Sequence, residues 1–353
     1  MVALSIVDQG PVSAETSPAQ TLHETVELAR LADEIGYTRF WVAEHHGVRN
    51  MGIAAPEVVI GHLADRTSRL RVGSGGMMLP NHAPLHVAEQ FRTLEALHPG
   101  RIDLGVGRST GTGDDATRDA LLRTTDGVEM FGEHLRRLLG AGGRLKLAPE
   151  DPYSVLTASP DGVPLPPVFL LGASVGSAET AARTGLGYAF LSVNKNPANA
   201  ASALRRYREL FVPAFEGDQP LAILAARIWV GEDEEHAAAL AAPERLAVLE
   251  YLTGNPSALE PVDRALGRRL TDAQAAARDT LDLRADIVGG VDHVAQRLTA
   301  LVDASGADEV MAISNIHDPE DRRGSFRRLA QAAGLAPAGG PPITRNGAPH
   351  VQP

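Results

Sequence analysis

The chain of 353 residues contains no cysteine, which excludes disulfides and thiolate metal sites and fits a reducing compartment. Lysine is nearly absent: Lys146 and Lys195 are the only two, and arginine carries the rest of the positive charge. Acidic residues outnumber basic ones, 44 to 33, for a formal net charge of -11, and no basic stripe or polybasic tail offsets that balance. Nucleic acid and anionic membrane are therefore poor partners. Nowhere do about 18 apolar residues run together, as a membrane span would need. The start, "MVALSIVDQG", lacks a basic n-region, and its apolar run breaks at Asp8. It reads as a first strand, not a signal peptide, and the expected location is cytoplasmic.

What is present is an alternation. Strand-like runs at 3–8, 38–44, 70–80 and 101–109 are separated by helical patterns at 21–36, 55–68 and 84–100. In the first of these helices, Leu22, Val26, Ala29 and Ala32 fall on one face, and Gly36 is a natural stop. A Gly/Asp loop, a helix near 117–140 and a proline-rich stretch follow. Strands then recur at 167–174, 187–193, 221–231 and 309–315. Eight strands, each followed by helical sequence, predict an α/β fold, a (β/α)8 TIM barrel, in preference to an open doubly wound sheet. Residues 1–335 read as one domain, and 336–353 as a disordered tail. A helical insertion, 232–286, falls between strands 7 and 8, either as a lid or as a packing appendage.

On a barrel, chemistry collects at the C-terminal ends of the strands. Polar endings recur there: Asp8-Gln9, Glu44-His45-His46, Gly107-Arg108-Ser109, Ser192 to Asn194, and Ser314-Asn315. In "FWVAEHHGVRN" (40–50), alternation puts Glu44 and His46 on one face and His45 on the other. His45, with imidazole's near-neutral pKa, is the candidate proton donor, acceptor or hydrogen-bond anchor, with Glu44 as its orienter. Adjacent histidines chelate poorly, and His82 and His86 lack a convincing third ligand, so no metal is expected. "GSGGMMLP" (73–80) suggests a close backbone approach at Gly75, Gly76 and Met77, where something flat can lie. Arg108 reads as an anion ligand. "GASVGSAET" (172–180) reads as a phosphate cradle, with Ala173, Ser174, Gly176 and Ser177 at a helix N-terminus. A helix cap alone would also account for one of those serines.

Three segments, "GYTRFWVAEHH", "LRVGSGGMMLPNHAPLHVAEQFRTLEALHPGRIDLGVGR" and "PVFLLGAS", in this order, resemble the bacterial-luciferase-like flavin monooxygenases. The likeness covers most of residues 1–195 and returns at "IVGGVDHVAQRL" and "EVMAISNI". It implies an eight-stranded barrel that binds FMN or, in some branches, the deazaflavin F420. By resemblance, His45 is the active-site histidine, Gly75-Gly76 is a non-prolyl cis peptide under the flavin ring, and Arg108 and Ser174 hold its phosphate. The implied reaction is two-component. A separate NAD(P)H:flavin reductase supplies reduced FMN, oxygen adds at the flavin C4a, and a small organic substrate is oxygenated. Homodimerisation is a family expectation. Gly107 stands where luciferase has a reactive cysteine and Ala173 where it has a glutamate, so light emission is not implied. F420-dependent hydride transfer and a non-catalytic flavin-binding barrel are the rival readings. The Arg-, Ala-, Gly- and Pro-rich composition suggests a GC-rich genome and a role in secondary metabolism.

Overall fold

The first strand, β1 (Ala3–Asp8), is followed by a helix whose two ends are written in the sequence. In the computed structural model, which describes residues 2–122 and 127–335, Ser17 caps α1 (Pro18–Ile35) by accepting from the Gln20 amide. Pro18 sits in the first turn, where an amide has no helical partner, and Gly36 stops the helix at φ 94°. A proline also opens α2 (Pro56–Arg66) and α3 (Pro84–Leu97). Between these helices run β2 (Arg39–Val42), β3 (Arg71–Met78) and β4 (Ile102–Gly107), all paired in parallel. The tail 336–353, read as disordered from sequence, lies outside the described residues.

The helix expected near 117–140 is two helices, α4 (Asp115–Leu121) and α5 (Phe131–Ala141). Residues 127–130, beginning at Gly127, form turns ahead of the second, which fits the poor helix propensity of glycine. The ring continues through β5 (Val168–Gly172), α6 (Val175–Arg183), β6 (Gly187–Leu191), α7 (Pro197–Leu210) and β7 (Ala222–Val230). The insertion supplies α8 (Glu234–Leu252), α9 (Val262–Gly267) and α10 (Asp272–Thr280). It is followed by a strand that the sequence pattern did not reveal, β8 (Ile287–Gly289), which is too short for a periodicity. Then come α11 (Val291–Ser305), β9 (Glu309–Ile313) and α12 (Pro319–Ala332).

The barrel closes because β1 pairs with both β2 and β9, and β7 with both β6 and β9. Eight strands make the ring, as expected; β8 lies outside it, paired to Ile228–Val230 at the upper end of β7. Helix α8 packs Leu240 and Ala241 against Trp229 and Ile316. Farther along, Leu259 exchanges backbone hydrogen bonds with Val12 and Ala14, at 2.9 and 2.8 Å. The insertion is thereby tied to the loop after β1. No helix among the described residues is long and apolar enough to cross a membrane.

Strand alternation divides the core in two. Ile6, Phe40 and Val72 face outward under the helices. Val7, Trp41, Phe169 and Met311 face inward. At the closed end of the barrel, Asp103 is fully buried and receives Arg39 at 2.7 Å, Arg71 at 2.5 Å and the Trp41 indole N–H at 3.1 Å. Arg39 also pairs with Glu309 at 3.0 Å. Charges this deep persist only when mutually paired and hydrogen-bonded. Their consequence for the site is that the Trp41 ring is pinned as a floor.

Candidate active site

Above Trp41, a cavity of about 1020 Å³ opens among the C-terminal ends of the strands. Small-molecule and cofactor pockets span roughly 300–1,000 Å³, and this one stands at the top of that range. Its deeper walls are apolar, with Val7, Ala43, Leu171, Ala225, Met311 and Ile313. Polar groups sit nearer the rim.

On one side, β3 presents bare backbone. The Gly75–Gly76 peptide is cis, as the resemblance implies, and the register with β4 shifts between Ser74 and Met77. A Cβ on Gly75 would stand 2.8 Å from Val7 Cγ2, and one on Gly76 would stand 3.0 Å from the Gly105 carbonyl oxygen. A side chain at either position would have to displace these neighbours, and the two glycines leave a platform without side chains. The next two residues split. Met78 lines the cavity, whereas Met77 is fully buried in the outer core beneath the helices. The sequence reading placed Met77 at the site; alternation along the strand puts its neighbour there instead.

Beside the platform lies the candidate anion cradle. Arg108 follows the last residue of β4, is exposed, lines the cavity and makes no ion pair with a described residue. Ala173, Ser174, Gly176 and Ser177 line the same wall at the start of α6. The two serines are committed to the helix. Ser174 Oγ accepts from the Ser177 amide at 3.2 Å, and Ser177 Oγ accepts from the Ser174 amide at 3.3 Å. Tyr188, which sequence reasoning missed, braces this capping box. Its hydroxyl meets Ser177 Oγ at 2.9 Å and donates to the Ser174 carbonyl at 3.0 Å. Burial pushes that hydroxyl's pKa up to about 12, so it stays protonated and able to donate. The groups left for an anion are the amides of Val175 and Gly176, which have no intrahelical partner, and the Arg108 guanidinium.

The Glu44-His45-His46 ending divides as alternation predicts. His45 lines the cavity, and its Nδ1 is enclosed without a hydrogen-bond partner among the described residues. Burial lowers its pKa to about 4, against a small opposing pull from Glu44, so the imidazole is neutral at pH 7. The near-neutral titration expected from sequence does not hold for the open site. Nor does Glu44 orient His45. Its fully buried carboxylate accepts from His46 Nε2 at 2.8 Å, His82 Nε2 at 2.9 Å, Asn81 Nδ2 at 3.2 Å and the Met78 amide at 2.7 Å. Burial alone would raise the Glu44 pKa, but these donors outweigh it and hold the group below the ordinary carboxylate range. The carboxylate thus locks the end of β2 to the end of β3, next to the platform. His82 turns to Glu44, and His86 is exposed beside Glu89.

The fold and this mouth define a (β/α)8 barrel with its site at the C-terminal ends of the strands. A sequence profile described as luciferase-like monooxygenase matches residues 2–309, and the chain belongs to that family of oxidoreductases. It is 38% identical over 238 residues to the N-acetyl-S-alkylcysteine monooxygenase of Bacillus subtilis, spanning 67% of this chain and 70% of that protein. The crystal structure of apo-MsnO8 superposes with a TM-score of 0.82 at 38% identity, covering 96% of this chain and all of that one. The oxygenating constituent of 3,6-diketocamphane monooxygenase from Pseudomonas putida, solved with FMN, shares the fold at 18% identity and TM-score 0.67, over 96% of this chain and 99% of its own.

Proposed function

We propose that this protein is a monooxygenase that takes reduced FMN and O2 and oxygenates a small organic substrate. One observation carries the reading: an arginine without an ion-pair partner among the described residues, a helix N-terminus and a glycine platform converge on a single cavity. That set matches a molecule with an anionic tail and a flat ring, and the FMN carried by the diketocamphane enzyme has that shape. When bound, reduced FMN supplies the electrons that activate oxygen.

The chain does the rest. Arg108 and the Val175 and Gly176 amides hold the phosphate. The Gly75-Gly76 backbone supports the ring. The apolar walls exclude water, which protects a reactive intermediate from hydrolysis and proton leakage. His45, neutral and with an Nδ1 unpaired among the described residues, holds or moves a proton at the cavity wall. Reduced FMN comes from a separate reductase, and the working unit is a homodimer in the cytoplasm.

Oxygen uptake with photoreduced FMN tests the reading, run beside loss of F420 absorbance with a reducing substrate. FMN-dependent uptake and a longer-lived oxygenated flavin in stopped flow are expected. F420 reduction without oxygen uptake would replace this reading with hydride transfer. Flavin binding with neither reaction would leave a binding barrel.

A further inference from the structure

The wall facing the cradle carries a polar group that the flavin reading does not use. In ring order, β1 stands four strands from β5 in either direction, so Gln9, just past β1, lies across the mouth from α6. A cofactor with its tail at α6 and its ring on β3 leaves the side bounded by β1, β9 and β7 for a second molecule. That side offers Val7, Ala225, Met311 and Ile313, and Gln9 as its polar side chain.

The orientation of Gln9 is imposed from behind. Asn315 Nδ2 donates to Gln9 Oε1 at 2.7 Å. Asn315 is itself buried and held by α8 of the insertion, where Glu244 Oε2 accepts its backbone amide at 2.9 Å. Because its oxygen is occupied as an acceptor, Gln9 keeps both Nε2 hydrogens for the cavity, and Nε2 donates to no described residue. Gln9 is thus a fixed donor in an apolar wall.

Charge is missing from that wall. Among the described lining residues, Arg108 and Glu129 are the only acidic or strongly basic side chains, and both are exposed. His45 is neutral in the open site. An ion placed deep in the cavity would lose its hydration without gaining a partner.

We infer that Gln9 recognises the substrate, positioned by Asn315 and Glu244, and that the substrate is a neutral, largely apolar molecule presenting a carbonyl-type oxygen. The inference rests on the flavin reading, which decides which side is left free. It gives the insertion a part in selectivity without any residue of 232–286 lining the cavity.

Three small compounds of similar shape test it: acetophenone, ethylbenzene and benzoate, titrated by calorimetry into FMN-loaded and FMN-free protein. Acetophenone should bind about tenfold tighter than ethylbenzene, the worth of one enclosed donor satisfied or left unmet. Benzoate should bind more weakly than acetophenone. Gln9→Leu should bring acetophenone to the level of ethylbenzene and leave FMN affinity unchanged. Asn315→Leu should lower the same ratio with ethylbenzene affinity retained, a selectivity loss that general unfolding would not produce. Equal binding of the three compounds, a ratio unchanged in Gln9→Leu, or weaker FMN binding by that variant would each overturn the inference. Failure of the flavin reading looks different: FMN would not bind, while the acetophenone preference of the FMN-free protein would persist.

Discussion

His45 and Glu44 are sequence neighbours with opposite electrostatic fates. His45 loses its charge to burial; Glu44 keeps its charge because four groups donate to it. Labelled-histidine NMR should show His45 of the ligand-free protein neutral at pH 6 and titrating near 4. Both shifts act in the same direction on stability. Between about 6.5 and 4 the unfolded chain protonates this histidine while the folded chain does not, so stability falls as pH drops through that window. Glu44, with its folded pKa lowered, stabilises above the ordinary carboxylate pKa, and that contribution is lost at still lower pH. Glu44→Gln leaves one acceptor oxygen for four donors and should cost about 1–3 kcal/mol in urea unfolding. An unchanged midpoint would show that the carboxylate holds nothing. His45→Ala should retain FMN binding and lower turnover; undiminished turnover would remove the imidazole from the reaction.

At the scale of elements, the two ends that shape the site depend on backbone. At the platform end of β3 a side chain would crowd Val7 or the Gly105 carbonyl. Gly76→Ala should destabilise by about 1–3 kcal/mol, because the Gly105 carbonyl it would meet is itself part of the sheet. The α6 N-terminus depends on its capping box. Ser174→Ala should cost about 1 kcal/mol of stability, measured without ligand by chemical unfolding. Sequence made some of this legible. Gly36 ends α1 where its spacing said it would, and the Glu44/His46 pairing follows from alternation alone. It did not show that Ser174 and Ser177 are bound to each other, because a cap and a ligand site look alike in one dimension. Nor could it show Tyr188, which reaches the cradle from the next strand, or β8, whose three residues carry no period.

Over the whole molecule, the barrel was readable because eight short apolar runs, each followed by a helical period, have few ways to close. The charged layer under Trp41 was not readable. Arg39, Asp103 and Glu309 come from three separate strands and look like surface residues until the ring brings them together. The same holds for Gln9, Asn315 and Glu244, which were visible only as polar strand ends or as part of an insertion. The central claim is that the mouth of this barrel grips the phosphate of a flavin mononucleotide through Arg108. Equilibrium titration of FMN and riboflavin into wild type and Arg108→Ala tests it most directly. Wild type should prefer FMN by at least about tenfold, the worth of one charge-assisted contact, and the variant should lose most of that preference while riboflavin affinity stays the same. Equal affinity of wild type for the two flavins, or an equal loss for both in the variant, would contradict the account.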